Sequence, residues 1–482
     1  MSNTSRKRDK TDLPASPPLS AGTSRRESLG RMLRSLIPAA DGVASKSMRE
    51  ARDVVAHCRA LLSERGEVSG ARLANDVVQT YKSLDAPARE AFFDFLATEF
   101  SLNPDVVGRA ANTYQAEPSE ANLVRLQNAV EPPRLELFRR INLAQGGTTG
   151  LVDMRRRLLE TLDEHPERIG VDADLLQLFR SWFNRGFLSL QRIEWRTSAL
   201  VLERLIQYEA VHQIQGWRDL RRRLEDDRRC YAFFHPALPE EPLIFIEVAL
   251  VRRMPAKVQP LLDPEAAVVD PTSADSAVFY SITNCQVGLR GVSFGNFLIK
   301  QVVEELGREF PQLRTFATLS PVPGFAAWLA NQGEPLTVDG RRTTMHTIID
   351  AIGLRQLHQP PVQAAIQKKL TRLCAQYLLQ AKRGPHPADP VARFHLANGA
   401  RLERLNWMGD ISPAGLKRSL GFTVNYVYRL ADLESNHEAY AKAFAVSASR
   451  EMQWLGKPDG SAKAPGDTAE PPARASGDTP IV

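Results

Sequence analysis

Residues 286–296 read Gln-Val-Gly-Leu-Arg-Gly-Val-Ser-Phe-Gly-Asn, and a helical pattern follows at once. Gly288, Gly291 and Gly295 would let the backbone approach a ligand with no Cβ atoms in the way. The first amides of the following helix lack partners within it, and they and the positive end of its dipole face the same space. Arg290 adds a charged donor, and Asn296 is a suitable N-cap. Such a corner suits a diphosphate. The glycine intervals of three and four match neither G-x-G-x-x-G nor a Walker A motif, since no Gly-Lys-Ser/Thr occurs. A tight strand-to-helix turn whose glycines serve geometry alone would read the same way.

The elements around this corner alternate. Strand-like runs at 230–234, 243–251, 278–282 and 315–319 surround a helix predicted over 296–310. In that helix Leu298, Val302 and Leu306 share a face with Ile299, Val303 and Phe310, and Glu304 is spaced to pair with Arg308. Strand, glycine-rich turn, helix and strand make a βαβ-like unit. Two further helical patterns, 197–212 and 217–228, precede the first strand. From about 45 to 190 the pattern is helical throughout. Asp85 can cap a helix carrying Pro87 and Glu90 in its first turn, with Phe92, Phe93, Leu96 and Phe100 on one side. Asn103 opens the next segment, Pro132-Pro133 separates another pair, and Leu175, Leu176, Phe179, Trp182 and Phe183 form an apolar stripe. The expected architecture is a multidomain one. It has a tail at 1–40, a helical bundle for packing or self-association at 41–190, a mixed α/β domain at 191–456 and a second tail at 457–482, both tails without fixed structure.

Composition narrows the function classes. The net charge is +6, yet residues 1–34 hold eight Lys/Arg against three acids, so the remainder is nearly neutral. A phosphate-tracking nucleic-acid surface is not indicated. The Arg-rich stretch 218–229 also carries Asp219, Glu225, Asp226 and Asp227, and reads as a solvated helix face. Cys58, Cys230, Cys285 and Cys374 lie far apart without C-x-x-C spacing, which argues against zinc and a disulfide framework and fits a reducing compartment. No apolar run approaches the roughly 18 residues of a membrane span. The N-terminus has no secretory apolar core. It is Arg- and Ser-rich like an organellar transit peptide, but Asp9, Asp12, Pro14, Pro17 and Pro18 suit a tail better, and the expected location is cytoplasmic.

Several motifs then converge. Phe279-Tyr-Ser-Ile, the loop above, Phe297-Leu-Ile-Lys, and Phe316-Ala-Thr-Leu-Ser-Pro-Val-Pro-Gly-Phe325 resemble malonyl-CoA decarboxylase. So do Phe394-His-Leu-Ala-Asn-Gly-Ala400, Asn406-Trp-Met-Gly-Asp410 and Asn425-Tyr-Val-Tyr428, in order, over roughly residues 180 to 450. The resemblance implies a helical N-terminal domain and a catalytic domain like that of acetyltransferases (GNAT-like). It implies a bacterial enzyme that converts malonyl-CoA to acetyl-CoA and carbon dioxide, with neither metal nor separate cofactor, as a homodimer or homotetramer. Its catalytic serine and histidine fall on Ser320 and His395. Its coenzyme A loop falls on Arg290, Gly291, Val292, Ser293, Phe294, Gly295 and Asn296, so that Ser320 and His395 also meet the substrate. Read alone, Ser320 before Pro321 would be a turn residue and His395 between two apolar neighbours a core histidine. Ser320 lacks the G-x-S-x-G setting of a nucleophile elbow, which argues against an acyl-enzyme. The implied chemistry instead asks for a hydroxyl to hold the developing enolate and an imidazole, titrating near neutrality, to return a proton to carbon. Tyr428 is a further polar candidate, with core packing as its other reading. The competing function is a GNAT-type acyltransferase that uses the same loop to acylate an amine.

Overall fold

Asp85 Oδ1 accepts a hydrogen bond from the Ala88 amide at 2.8 Å, and Asn103 Oδ1 accepts from the Asp105 amide at 3.0 Å. Each cap precedes a helix with proline in its first turn. The computed structural model describes residues 43–292, 294, 298–331, 336–338, 341–343 and 360–457. Residues 1–40 and nearly all of 457–482, expected to be tails, lie outside these. The first part is helical: α1 (Val43–Ser63), α2 (Glu67–Ser83), α3 (Ala86–Thr98), α4 (Pro104–Ala116), α5 (Glu120–Ala129), α6 (Pro133–Asn142), α7 (Gly147–Thr161) and α8 (Ile169–Trp182). Phe92, Phe93 and Leu96 are fully buried, with Leu175, Phe179 and Phe183, in one continuous core. Burying each such side chain contributes about 1.5–3 kcal/mol.

The sheet part begins with β1 (Ser189–Ile193), α9 (Ala199–Tyr208), α10 (Trp217–Arg223), β2 (Arg228–Phe234), β3 (Ile244–Val251), α11 (Gln259–Leu262) and β4 (Ser276–Asn284). Next come α12 (Leu298–Glu309), β5 (Thr315–Thr318), β6 (Ser320–Pro321), α13 (Phe325–Ala330), the hairpin β7 (Leu336–Val338) and β8 (Arg341–Thr343), and α14 (Pro360–Gln380). The chain continues through β9 (Lys382–Arg383), β10 (His386–Pro387), α15 (Pro390–Ala397), β11 (Arg401–Asn406), α16 (Pro413–Ser419), β12 (Thr423–Val427), α17 (Leu430–Ala443) and α18 (Arg450–Leu455).

The main sheet runs β1-β2-β3-β4-β5-β12-β11, with β6 also on β12. Only β4 and β5 are parallel in this sheet, among the described residues, and α12 is their crossover. Their pairing extends from Ser276↔Thr315 to Phe279↔Thr318 and stops there. β4 runs on to Asn284, whereas Ser320 pairs with Val424 of β12. The two central strands therefore part where Ser320 stands, and this strand order with a parallel pair that opens is the GNAT-like arrangement. Leu298, Ile299, Val302, Val303 and Leu306 of α12 are buried against one sheet face. The other face is covered by α9 and α10 through Val201, Leu202, Leu205 and Leu220.

Three sequence expectations need correction. The helix at 217–228 ends at Arg223, because the chain must extend to enter β2. Arg222, Arg223, Arg228 and Arg229 are buried rather than solvated. Arg222 meets Asp227 at 2.6 Å, Arg223 meets Glu247 at 2.9 Å, and Arg229 meets Glu309 at 2.6 Å. Asp227 lies within the segment, but Glu247 comes from β3 and Glu309 from α12, so the register of charges along the segment could not show those two pairings. Finally, Glu304 lies 4.0 Å from Lys300, while Arg308 turns to Glu305 instead.

Candidate active site

Ser320 enters the site from the last residues of the β5–β6 run, and His395 from the last turn of α15. They are 75 positions apart in sequence, yet Ser320 Oγ is 3.0 Å from His395 Nε2. Both are buried, His395 almost completely. On its other side His395 Nδ1 is 2.7 Å from the Tyr428 hydroxyl. The Tyr426 ring stacks on the imidazole at 4.5 Å between centroids. Ser320 Oγ also donates to Thr318 Oγ1 at 2.9 Å, and Thr318 Oγ1 accepts from the Tyr426 amide at 3.1 Å.

Counting protons in this chain fixes its direction. With the one hydroxyl proton of Ser320 given to Thr318, Oγ is left as acceptor, so Nε2 must carry a proton and Nδ1 must accept from Tyr428. Burial holds the Tyr428 hydroxyl well above its ordinary range, so it keeps its proton to donate. Burial also pushes His395 down to about 3. The expectation of an imidazole titrating near neutrality is corrected: without an anion beside it, the ring is neutral at pH 7. Its apolar surroundings disfavour the charged form.

Asp389 joins the two halves of the pair. It caps α15, accepting from the Val391 and Ala392 amides at 3.0 and 2.9 Å, and its other oxygen accepts from the Gly324 amide at 3.3 Å. One carboxylate thus ties the turn after Ser320 to the helix that carries His395. No local pattern marks it beyond Asp-Pro at a helix start.

The glycine corner is described in part. Arg290 and Gly291 are exposed, Val292 is buried and Phe294 half-buried; Ser293, Gly295 and Asn296 lie outside the described residues. Gly291 has φ +84°, in the region that favours glycine. Gly288 has a different reason from the one expected. A Cβ there would sit 2.0 Å from the Val152 carbonyl, so this glycine lets α7 pack against the loop. From α7, Arg155 Nη1 donates to the carbonyls of Gly288 at 2.8 Å and Arg290 at 2.7 Å, while its Nε holds Asp172 at 2.8 Å. The helical part therefore shapes the loop directly. The role of Arg155 at the loop escaped the sequence reading because the loop atoms it binds are backbone carbonyls more than 130 positions away.

A GNAT-like sheet that opens beside a buried hydroxyl–imidazole pair, packed with a helical part, is the class that the fold and the candidate site define. Residues 186–464 match the malonyl-CoA decarboxylase C-terminal domain, and residues 100–183 match the N-terminal domain of that family. The mitochondrial malonyl-CoA decarboxylase of Anser anser anser is 33% identical over 469 residues, covering 88% of this chain and 93% of its own. That of Mus musculus is 36% identical over 356 residues, covering 68% and 72%. The crystal structure of malonyl-CoA decarboxylase from Rhodopseudomonas palustris superposes with a TM-score of 0.79 at 46% identity, over 84% of this chain and 99% of that one. The Agrobacterium vitis enzyme gives 0.77 at 45%, over 84% and 100%. The chain belongs to the malonyl-CoA decarboxylase family.

Proposed function

We propose that this carboxy-lyase converts malonyl-CoA to acetyl-CoA and carbon dioxide at the Ser320–His395 pair. The observation that carries the residue assignment is the 3.0 Å contact between Ser320 Oγ and His395 Nε2, at the point where β4 and β5 part. The opening gives an extended pantetheine chain a path, with the diphosphate of coenzyme A on the corner formed by residues 290–296. The acyl end then lies beside the pair.

Breaking the bond to the carboxylate leaves an electron pair on the α-carbon, shared with the thioester oxygen. The Ser320 hydroxyl or the Nε2–H of His395 donates to that oxygen, a kind of contact worth about 3–4 kcal/mol in the transition state. The carbon then needs a proton. A malonyl carboxylate brought beside His395 supplies the negative charge that the site lacks, which raises the affinity of the ring for a proton. The ring takes up one proton from solvent as the substrate binds, and the imidazolium passes a proton to the α-carbon after carbon dioxide leaves. This accounts for the one proton the reaction consumes and contributes about 10²–10⁴-fold. Tyr428 holds Nδ1 and so aims Nε2. This sequence of steps uses no redox cofactor and no metal, and full activity after exhaustive treatment with chelator is its consequence.

The reading extends to self-association through the helical part. Val68 is 88% exposed, Leu143 80% and Ile169 65%, which are the apolar side chains this part could offer a second copy. Light scattering at two concentrations, with Leu143→Arg for comparison, tests it: a mass twice or four times the chain's, reduced in the variant, is expected. The four thiols are buried and unpaired, which supports a reducing cytoplasm, and the two bacterial structures support a bacterial one.

Incubation with malonyl-CoA alone, trapping carbon dioxide, tests the activity. Stoichiometric acetyl-CoA and carbon dioxide are expected. Turnover that appears only when an amine acceptor is added would instead favour an acyltransferase.

A further inference from the structure

At the end of the sheet away from the glycine corner, the end of β3 and the starts of β4 and β5 meet the end of β12 around a cleft of about 760 Å³. Arg252, Arg253, Arg314 and Arg429 line it, and all four are exposed. None of these guanidiniums has a hydrogen bond or an ion pair among the described residues. Two acids face them. Glu403 is held by Arg401 at 2.7 Å, and Asp275 accepts from the Ser276 hydroxyl at 2.5 Å. The cleft therefore has a clear excess of positive charge.

The buried arginines of the sheet part are matched differently. Arg222, Arg223 and Arg229 each have a carboxylate within 3 Å. Four unmatched guanidiniums around one cavity repel one another, and an anion relieves that repulsion while taking bidentate hydrogen bonds. The start of α17 adds to the same field. Leu430 and Ala431 line the cleft, and Arg429 at the N-cap supplies no side-chain cap for the first amides. Tyr428 also lines the cleft, and its hydroxyl is the partner of His395 Nδ1.

We propose that this cleft binds a small multivalent anion bearing phosphate or carboxylate groups, and that its occupancy is felt at His395 through Tyr428. Arg252, Arg314 and Arg429 grip the anion from the ends of three strands. An occupant drawn against Arg429 moves the residue that follows Tyr428, and with it the hydroxyl that aims the imidazole. The binding half stands apart from the decarboxylase assignment; the coupling half rests on it.

The test is calorimetric titration of the full chain with inorganic pyrophosphate and, separately, with citrate, in the presence of excess coenzyme A to fill the glycine corner. Saturable binding of one equivalent is expected, weakened at least about tenfold in an Arg252→Glu/Arg314→Glu double variant. Unchanged melting temperature and coenzyme A affinity in that variant would show that its fold is intact, and Arg252→Gln/Arg314→Gln should fall between. Tighter binding of pyrophosphate assigns the occupant to phosphates, and tighter binding of citrate to carboxylates. Equal affinity in variant and wild type, or complete loss of anion binding once coenzyme A is present, overturns the site. At saturating malonyl-CoA the anion should change kcat of the wild type by about fivefold and leave the double variant unaffected; a constant kcat with the anion bound overturns the coupling. A chain without decarboxylase activity would still bind the anion, so the two readings fail separately.

Discussion

The Tyr428 hydroxyl lies 2.7 Å from His395 Nδ1, on the side of the ring opposite Ser320. With the Ser320 hydroxyl donating to Thr318, Nε2–H faces the serine and Nδ1 accepts from Tyr428. In Tyr428→Phe the ring loses its anchor while the substrate-binding loop is untouched. Turnover should fall about 10–100-fold, as when a group orienting a reactive imidazole is removed, with KM nearly constant. Wild-type kcat in this variant would show that Tyr428 is packing alone.

Ser320→Ala and His395→Ala each remove a group assigned to the reacting atoms. Each should cut kcat at least about tenfold while equilibrium binding of coenzyme A persists. The double variant should be little worse than the weaker single one, because the two act as a unit. Near-full activity in both single variants would remove the catalytic assignment.

Arg155 reaches from the helical part to the carbonyls of Gly288 and Arg290. Arg155→Gln should raise KM by about tenfold, with a smaller effect on kcat, since the loop would lose its support and the pair would keep its geometry. A bulky residue at Gly291, where φ is +84°, should act the same way by straining the corner. Unchanged KM in both variants would contradict the loop's role in binding.

Two buried histidines give the fold a defined acid sensitivity. Burial lowers His395 to about 3 and His212 to about 4, from 6.5 in the unfolded chain. In the window below pH 6.5 the unfolded state binds more protons, so stability rises with pH there and is lost as pH falls towards 4. Between pH 6.5 and 5 each histidine should cost about 2 kcal/mol. Melting temperature measured across that window should fall less steeply in His212→Asn than in the wild type. Parallel curves would refute the buried, neutral state of His212.

How much of this was legible depends on where the partners lie in sequence. Asp85, Asn103 and the α12 stripe were readable because cap and face patterns are local. The β4–turn–α12 unit was readable because glycines, an apolar strand and an amphipathic helix follow one another. Ser320 and His395 were found through motif resemblance; by spacing alone neither stands out from turn or core. Arg222 to Arg229 misled because mixed charges along a helix also describe a solvated face, and their matching acids, Glu247 and Glu309, arrive from elsewhere. Arg155 and Asp389 left almost no trace, since each works by binding backbone atoms of another element. The fall of His395 to about 3 needed its surroundings, which only the packed fold supplies.

A crystal structure of the full chain with a malonyl-CoA analogue that cannot lose carbon dioxide tests the central claim most directly. The acyl end should lie in the gap where β4 and β5 separate, with its oxygens at about 2.7–3.2 Å from Ser320 Oγ and His395 Nε2. An analogue bound with its acyl group away from both side chains would contradict it.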